Sequence, residues 1–167
     1  DALILAENDG NTAAVVLTGN GEAFSAGADL EDMKLKTKGS LERNEFPEFL
    51  AVLSKFKKPL LAAVNGVGVG IGMTMLAYCD LVLISETARI RTPFPQLGLA
   101  PEAGSSGLFP MQVGWQNAAY VLMSGDWISS EEAVRFGFAW RATPPERLLI
   151  ETMKVAEVIA SNPISSL

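Results

Sequence analysis

Glu102 stands in the stretch Thr92-Pro-Phe-Pro-Gln-Leu-Gly-Leu-Ala-Pro-Glu-Ala-Gly-Ser-Ser106, an apolar loop punctuated by glycine and proline, in a 167-residue chain that has no histidine. Proton chemistry near neutral pH usually falls to histidine, and a carboxylate in an apolar setting is its natural substitute. Burial disfavours the charged carboxylate and raises its pKa toward the working range. A second candidate is Asn65-Gly-Val-Gly-Val-Gly-Ile-Gly72. Its glycines miss the G-x-G-x-x-G spacing of dinucleotide sites, because the sixth position is Ile71 or Met73, and no Gly-Lys-Ser/Thr follows. What remains is anion stabilisation by bare backbone N–H groups at a helix start, or close packing of a helix on a sheet. The loop Phe24-Ser-Ala-Gly-Ala-Asp29 also offers small residues and backbone amides.

Other chemistries drop out on composition. Without histidine, Ser-His-Asp and Cys-His machinery is excluded. No four carboxylate or thiolate ligands stand at zinc spacing. Cys79 is the single cysteine, so there is no disulfide framework, and at the end of an apolar run it reads as buried and inert. A net charge of −6 without a basic patch argues against a nucleic-acid partner. Lys34, Lys36 and Lys38, and then Lys55, Lys57 and Lys58, read as solvated faces. The apolar run 60–84 is long enough to span a bilayer, but Asn65, Asp80 and its glycine cluster argue against a span. The opening Asp1-Ala-Leu-Ile-Leu-Ala reads as the tail of a helix already under way, and hence as an internal piece of a longer protein.

The elements that must position these loops alternate. Residues 13–18 are apolar and β-branched and end at Gly19-Asn-Gly21, a buried strand and a turn. Phe46, Phe49, Leu50, Leu53 and Phe56 fall at helical spacing, with Pro47 in the first turn and Lys58-Pro59 as the stop. Leu60–Val64 is a second buried strand, 65–68 a turn, 70–79 a helix, 81–84 a third strand and 88–91 a fourth. Helices follow the Glu102 loop. Ser129-Ser-Glu-Glu132 is a capping box that stops at Gly137, and Thr143-Pro-Pro-Glu146 reads as another. Leu149, Met153, Ala156 and Ile159 mark the buried stripe of that last helix, which Pro163 ends. Trp115, Trp127 and Trp140 read as packing residues, Asp80 as a cap between helix and strand, and Glu22, Glu31 and Glu132 as solvated or capping. Strands alternating with helices, then helices alone, imply parallel βαβ units with a helical annex in one domain over 1–167, its core at 12–125 and the annex at 126–167. Loops at the carboxyl ends of parallel strands gather on one face, which would bring both amide-rich loops and Glu102 together.

Ala23-Phe-Ser-Ala-Gly-Ala-Asp-Leu30, Lys58-Pro-Leu-Leu-Ala-Ala-Val-Asn-Gly66, Cys79-Asp80 and Ser124-Gly-Asp-Trp-Ile-Ser129 resemble the crotonase (enoyl-CoA hydratase/isomerase) superfamily. The resemblance implies an α/β fold, a crotonase-like (ββα)n superhelix with a helical C-terminal region, incomplete at both ends. It implies an acyl-CoA thioester substrate, with coenzyme A as part of the substrate and no other cofactor or metal. The backbone N–H groups of Ala28 and Ile71 would hold the thioester oxygen, and Ser25, Ala26, Gly27, Asp29, Leu30, Gly70, Phe94 and Leu97 would line the substrate. Asp29 on its own reads as a loop-stabilising acceptor.

Hydratases of this superfamily carry two glutamates, and the matching positions are Thr74 and Phe94. The stretch around Glu102 instead resembles the peroxisomal-type Δ3,Δ2-enoyl-CoA isomerase branch, where a glutamate at that position is the single base. Phe94, Leu97 and Leu99 would screen it from water. The resemblance implies a homotrimer or dimer of trimers, with no membrane span and no nucleic acid, in the bacterial cytoplasm, or in the peroxisome or mitochondrial matrix of a eukaryote. The alternatives are another acyl-CoA reaction on this fold (dienoyl-CoA isomerase, hydratase-like or thioesterase) and a non-catalytic acyl-CoA-binding or interaction domain.

Overall fold

The longest apolar run breaks into strands because glycines and Asp80 interrupt it. In the computed structural model, which describes residues 2–27, 45–163 and 166, the strands are β1 (Val15–Thr18), β2 (Ala23–Ser25), β3 (Leu60–Val64), β4 (Val67–Val69), β5 (Leu81–Ser85), β6 (Arg89–Arg91), β7 (Ile128–Ser129) and β8 (Arg141–Thr143). They form two four-stranded sheets, ordered β1-β3-β5-β8 and β2-β4-β6-β7. All pairings are parallel except β6 with β7. The first six strands alternate between the sheets, which is the repeating ββα plan. β3 is buried along its whole length, as a parallel strand between two neighbours must be. Each large aliphatic side chain buried there contributes roughly 1.5–3 kcal/mol.

The helices are α1 (Ala2–Asn8), α2 (Glu45–Leu53), α3 (Ile71–Thr74), α4 (Ser105–Val113), α5 (Trp115–Ser124), α6 (Ser130–Phe136) and α7 (Pro145–Ala160). No helix among the described residues is long and apolar enough to cross a membrane. Cys79 is buried, and burial pushes its thiol up to about 12. Asp80 joins helix to strand as expected: Leu60 N–H donates to its Oδ2, and its own N–H donates to the Leu60 carbonyl, both at 2.8 Å. The Ser129 capping box is complete, and Gly137 ends α6 in a left-handed conformation.

Several expectations need correction. The turn at 65–68 contains β4, and the helix at 70–79 is one α-turn followed by the 3-10 turn Met75–Tyr78. The tight turn brings Asp80 back to Leu60 in few residues. The C-terminal third is not helix alone, because β7 and β8 join the two sheets; elements this short carry no readable period. Thr143 makes no capping box. It closes β8 in register with Ser85, the helix is capped by Pro144 without a side-chain bond, and Thr143 Oγ1 has no partner among the described residues. This start fixes the rotation of α7, so its buried stripe is Leu148, Thr152 and Ala156, while Leu149 and Met153 are 50% and 44% exposed. Thr152 fits the stripe by donating its hydroxyl to the Leu148 carbonyl at 2.8 Å.

Lys58 is not part of a solvated face: its Nζ donates to the Ala6 and Asp9 carbonyls at 2.7 Å each, tying down the end of α1. Lys34, Lys36, Lys38 and Glu31 lie outside the described residues. Trp115 and Trp140 are 69% and 49% exposed rather than packed. Trp127 is a platform for Arg89 and Arg91, whose guanidinium carbons lie 4.3 and 5.0 Å from its ring centroid.

Asn65 fastens the turn after β1 to the end of β3. Gly19 N–H donates to its Oδ1 at 2.9 Å, and its Nδ2 donates to the Gly21 and Ala23 carbonyls at 2.9 and 3.3 Å. Asn65→Ala is expected to lower stability by about 2 kcal/mol, read as a shift of the urea midpoint at constant slope.

Candidate active site

The glycine cluster does two jobs. At Gly66 and Gly72 the backbone approaches a neighbour too closely for a side chain, and at Gly68 the fit is tight. A Cβ on Gly66 would meet the Glu22 carbonyl at 1.9 Å, one on Gly68 the Gly72 carbonyl at 3.1 Å, and one on Gly72 the Ser25 carbonyl at 2.6 Å. Gly70 is different. Among the described residues nothing lies within 4 Å of a Cβ built there, but its φ of 57° and ψ of −118° suit glycine alone. Its N–H donates to the Arg91 carbonyl at 3.0 Å, and its carbonyl accepts from Met73 and Thr74, both at 2.9 Å. With both polar groups of Gly70 fixed, Ile71 begins α3 with an N–H that has no intrahelical acceptor. Close packing therefore holds at Gly66 and Gly72, while Gly70 takes a backbone conformation that packing does not require.

The first loop comes to the same place. A Cβ on Gly27 would strike the Val69 carbonyl at 2.8 Å, so the chain after β2 rests on the peptide that leads into Gly70. Ser25, Ala26 and Gly27 are described there, with Ala26 exposed and the other two half-buried. Ala28, Asp29 and Leu30, the remaining residues expected in this loop, lie outside the described residues.

Glu102 reaches α3 from the opposite side. Thr74, wholly buried, donates its hydroxyl to Glu102 Oε1 at 2.8 Å. Thr74 follows Ile71 by three residues, so the side chain that holds the carboxyl stands about one helical turn from the start of α3. The Glu102 carbonyl accepts from Ser105 N–H at 3.0 Å and from Ser105 Oγ at 2.7 Å. Ala103 is left-handed, with φ 51°, the one non-glycine residue with positive φ among the described residues. That conformation costs an alanine about 1–2 kcal/mol. The Tyr78 hydroxyl donates to the Ala103 carbonyl at 2.8 Å. Burial holds the Glu102 carboxyl above the usual carboxylate range, and the Thr74 hydroxyl bond opposes that rise.

Phe94 is buried, as expected of a residue that screens a site, but Leu97 and Leu99 are not. The 3-10 turn Pro95–Leu97 ends at left-handed Gly98 and leaves Leu97 46% exposed. That Thr74 is the partner of Glu102 is not legible in the residue pattern, because spacing within one helix does not say what faces it. Tyr78 was missed for the same reason: its contact spans 25 residues.

Residues 1–167 match the family described as enoyl-CoA hydratase/isomerase. The mitochondrial enoyl-CoA hydratase of Pongo abelii is 35% identical over 161 residues, which cover 96% of this chain and 56% of that protein. The 1,2-epoxyphenylacetyl-CoA isomerase of Escherichia coli strain K12 is 32% identical over 164 residues, 94% of this chain and 62% of that protein. The crystal structure of an enoyl-CoA hydratase from Mycobacterium marinum matches with a TM-score of 0.92 at 49% identity, covering 99% of this chain and 79% of the other. The chain spans 56–61% of the length of the first curated relatives it matches. A match along its whole length, with the same two-sheet architecture, places this chain in the enoyl-CoA hydratase/isomerase family of the crotonase superfamily.

Proposed function

We propose that this chain carries the centre of a Δ3,Δ2-enoyl-CoA isomerase, which moves the double bond of a 3-enoyl-CoA to give the 2-trans-enoyl-CoA. The observation that carries the reading is the pairing of a half-buried carboxyl of raised pKa, Glu102, with Thr74 one helical turn from the Ile71 N–H. The thioester acidifies the proton on C2. Glu102 takes that proton, the C2–H electron pair forms a C1–C2 double bond, and the carbonyl pair moves onto the thioester oxygen, leaving a dienolate with the C3–C4 double bond intact. The Ile71 N–H, with Ala28 as the second donor of the resemblance, stabilises that oxygen. Glu102 then returns the proton to C4, and the electrons settle in the C2–C3 double bond. One base serves both carbons, so no second acid and no metal or redox cofactor enters the scheme. Phe94 helps keep water from the dienolate. The same resemblance supports a homotrimer or dimer of trimers.

The names of several relatives favour a second reading, hydration of 2-enoyl-CoA. A product assay separates them. The isomerase converts a 3-enoyl-CoA into the conjugated thioester and leaves 2-enoyl-CoA unhydrated; a 3-hydroxyacyl-CoA product from 2-enoyl-CoA would overturn the proposal.

The base must be ionised, so kcat/KM falls on the acid side with the free-enzyme pKa of Glu102. This limb is expected above the ordinary glutamate value of about 4.3. Thr74→Val removes the bond that lowers the pKa while burial remains, so the limb is expected to move further up. A limb that stays or moves down would separate Thr74 from the tuning of Glu102.

A further inference from the structure

Glu102 sits between two residues that restrict its backbone. Pro101 precedes it with a ring-locked φ, and Ala103 follows it in the left-handed conformation that alanine avoids. The Ser105 bonds fix the Glu102 carbonyl but do not reach the next peptide. That peptide is held from outside the turn, by the Tyr78 hydroxyl on the Ala103 carbonyl. Tyr78 also lies directly over the following residue, where a Cβ on Gly104 would meet the same hydroxyl at 3.3 Å. Tyr78 ends the 3-10 turn that continues from α3, so the element carrying Thr74 also carries the clamp on the Glu102 turn. Two hydrogen bonds, one to the side chain and one to the backbone, thus tie the acid loop to a single short helical segment.

We propose that Tyr78 is a positioning residue: by locking the Ala103 peptide in its left-handed turn, it aims the Glu102 carboxyl at Thr74 and the N-terminal end of α3. The proposal rests on the reading of Glu102 as the base. Its tests include one that needs no turnover. Among the described residues, burial and the Thr74 hydroxyl account for the shift of Glu102, so displacement of the carboxyl is readable in its titration.

Tyr78→Phe keeps the ring and removes the hydroxyl. With the turn released, the carboxyl swings toward water, and its titration midpoint, followed by carbon NMR and assigned by its loss in Glu102→Gln, falls toward that of a free glutamate. Turnover of 3-enoyl-CoA falls roughly 10- to 100-fold through kcat, with KM within about twofold, as expected for a displaced catalytic group. Adding Ala103→Gly to Tyr78→Phe restores part of both readouts, because glycine takes the left-handed conformation without the clamp. A folded Tyr78→Phe protein with an unmoved Glu102 midpoint would overturn the proposal. So would a double variant that recovers neither readout, since the loss would then not lie in the turn. If the wild-type protein does not isomerise 3-enoyl-CoA, the functional reading falls, while the NMR midpoints still decide the role of Tyr78.

Discussion

Glu102→Gln is expected to lower turnover of 3-enoyl-CoA about 10³- to 10⁴-fold, the upper part of the range for loss of a general base. The effect is large because a single group handles both protons in the proposed scheme: the amide can neither remove the proton from C2 nor deliver one to C4. The fold is expected to survive. The Thr74 hydroxyl that donates to Glu102 Oε1 can donate equally to a glutamine oxygen. Stability gives an independent check. The folded-state pKa of Glu102 is raised, so its contribution to stability is greatest when protonated and is lost as pH rises through that pKa. At pH 7 the ionised, half-buried carboxylate is a burden that glutamine removes. Glu102→Gln should therefore melt no lower than wild type at pH 7, and its advantage should shrink as pH falls through the raised folded-state pKa and be gone below about pH 4.3, where glutamate in the unfolded chain is also protonated. A dead variant that melts far below wild type would mean that the turn had collapsed. A stable variant with near-normal turnover would remove Glu102 from the mechanism.

Gly70→Ala is expected to cost about 10²- to 10³-fold in kcat, the loss typical of one oxyanion donor. A methyl group at this position meets no atom of the described residues within 4 Å. It acts through the backbone: alanine resists a φ of 57° with a ψ of −118°, and relaxation would rotate the peptide that presents the Ile71 N–H. The control is Gly72→Ala, where the added carbon would meet the Ser25 carbonyl at 2.6 Å and the damage is steric. Loss of kcat with little loss of thermal stability in Gly70→Ala, against a clear loss of stability in Gly72→Ala, would separate presentation of the donor from packing. Equal destabilisation in both would make Gly70 another packing glycine.

Much of this arrangement was legible in residue types. Leu60–Val64 announced a buried parallel strand by having no polar face, and Ser129 with Glu132 announced a helix start by a reciprocal bond that needs only three-residue spacing. Glu102 stood out because an acid is rare among so many apolar and turn-forming residues. What stayed hidden depends on rotation or on partners distant in sequence. In the buried stripe of α7, Ala156 is where the spacing puts it, but Leu148 and Thr152 take the places expected of Leu149 and Met153, because β8, three residues long, sets where the helix begins. Thr74 stood out only as a position where hydratases carry a glutamate, and Tyr78 not at all, until the fold laid the Glu102 loop across them. The division of labour among the glycines was invisible because the sequence does not show which carbonyl stands opposite each.

The alternation of strands between the two sheets has a consequence for how this protein comes into being. Val15 pairs with Leu60, and Ala23 with Val67, so each sheet gains its first parallel neighbour only after a crossover of more than about 40 residues. Such distant pairings make closure of the chain slow, because loop entropy is lost before the contacts repay it. The crossovers also interlock, since the chain visits both sheets in each repeat and neither sheet can form as an independent half. The segments that carry Gly27, Gly70 and Glu102 are therefore expected to meet late in folding, at the step that closes the two sheets.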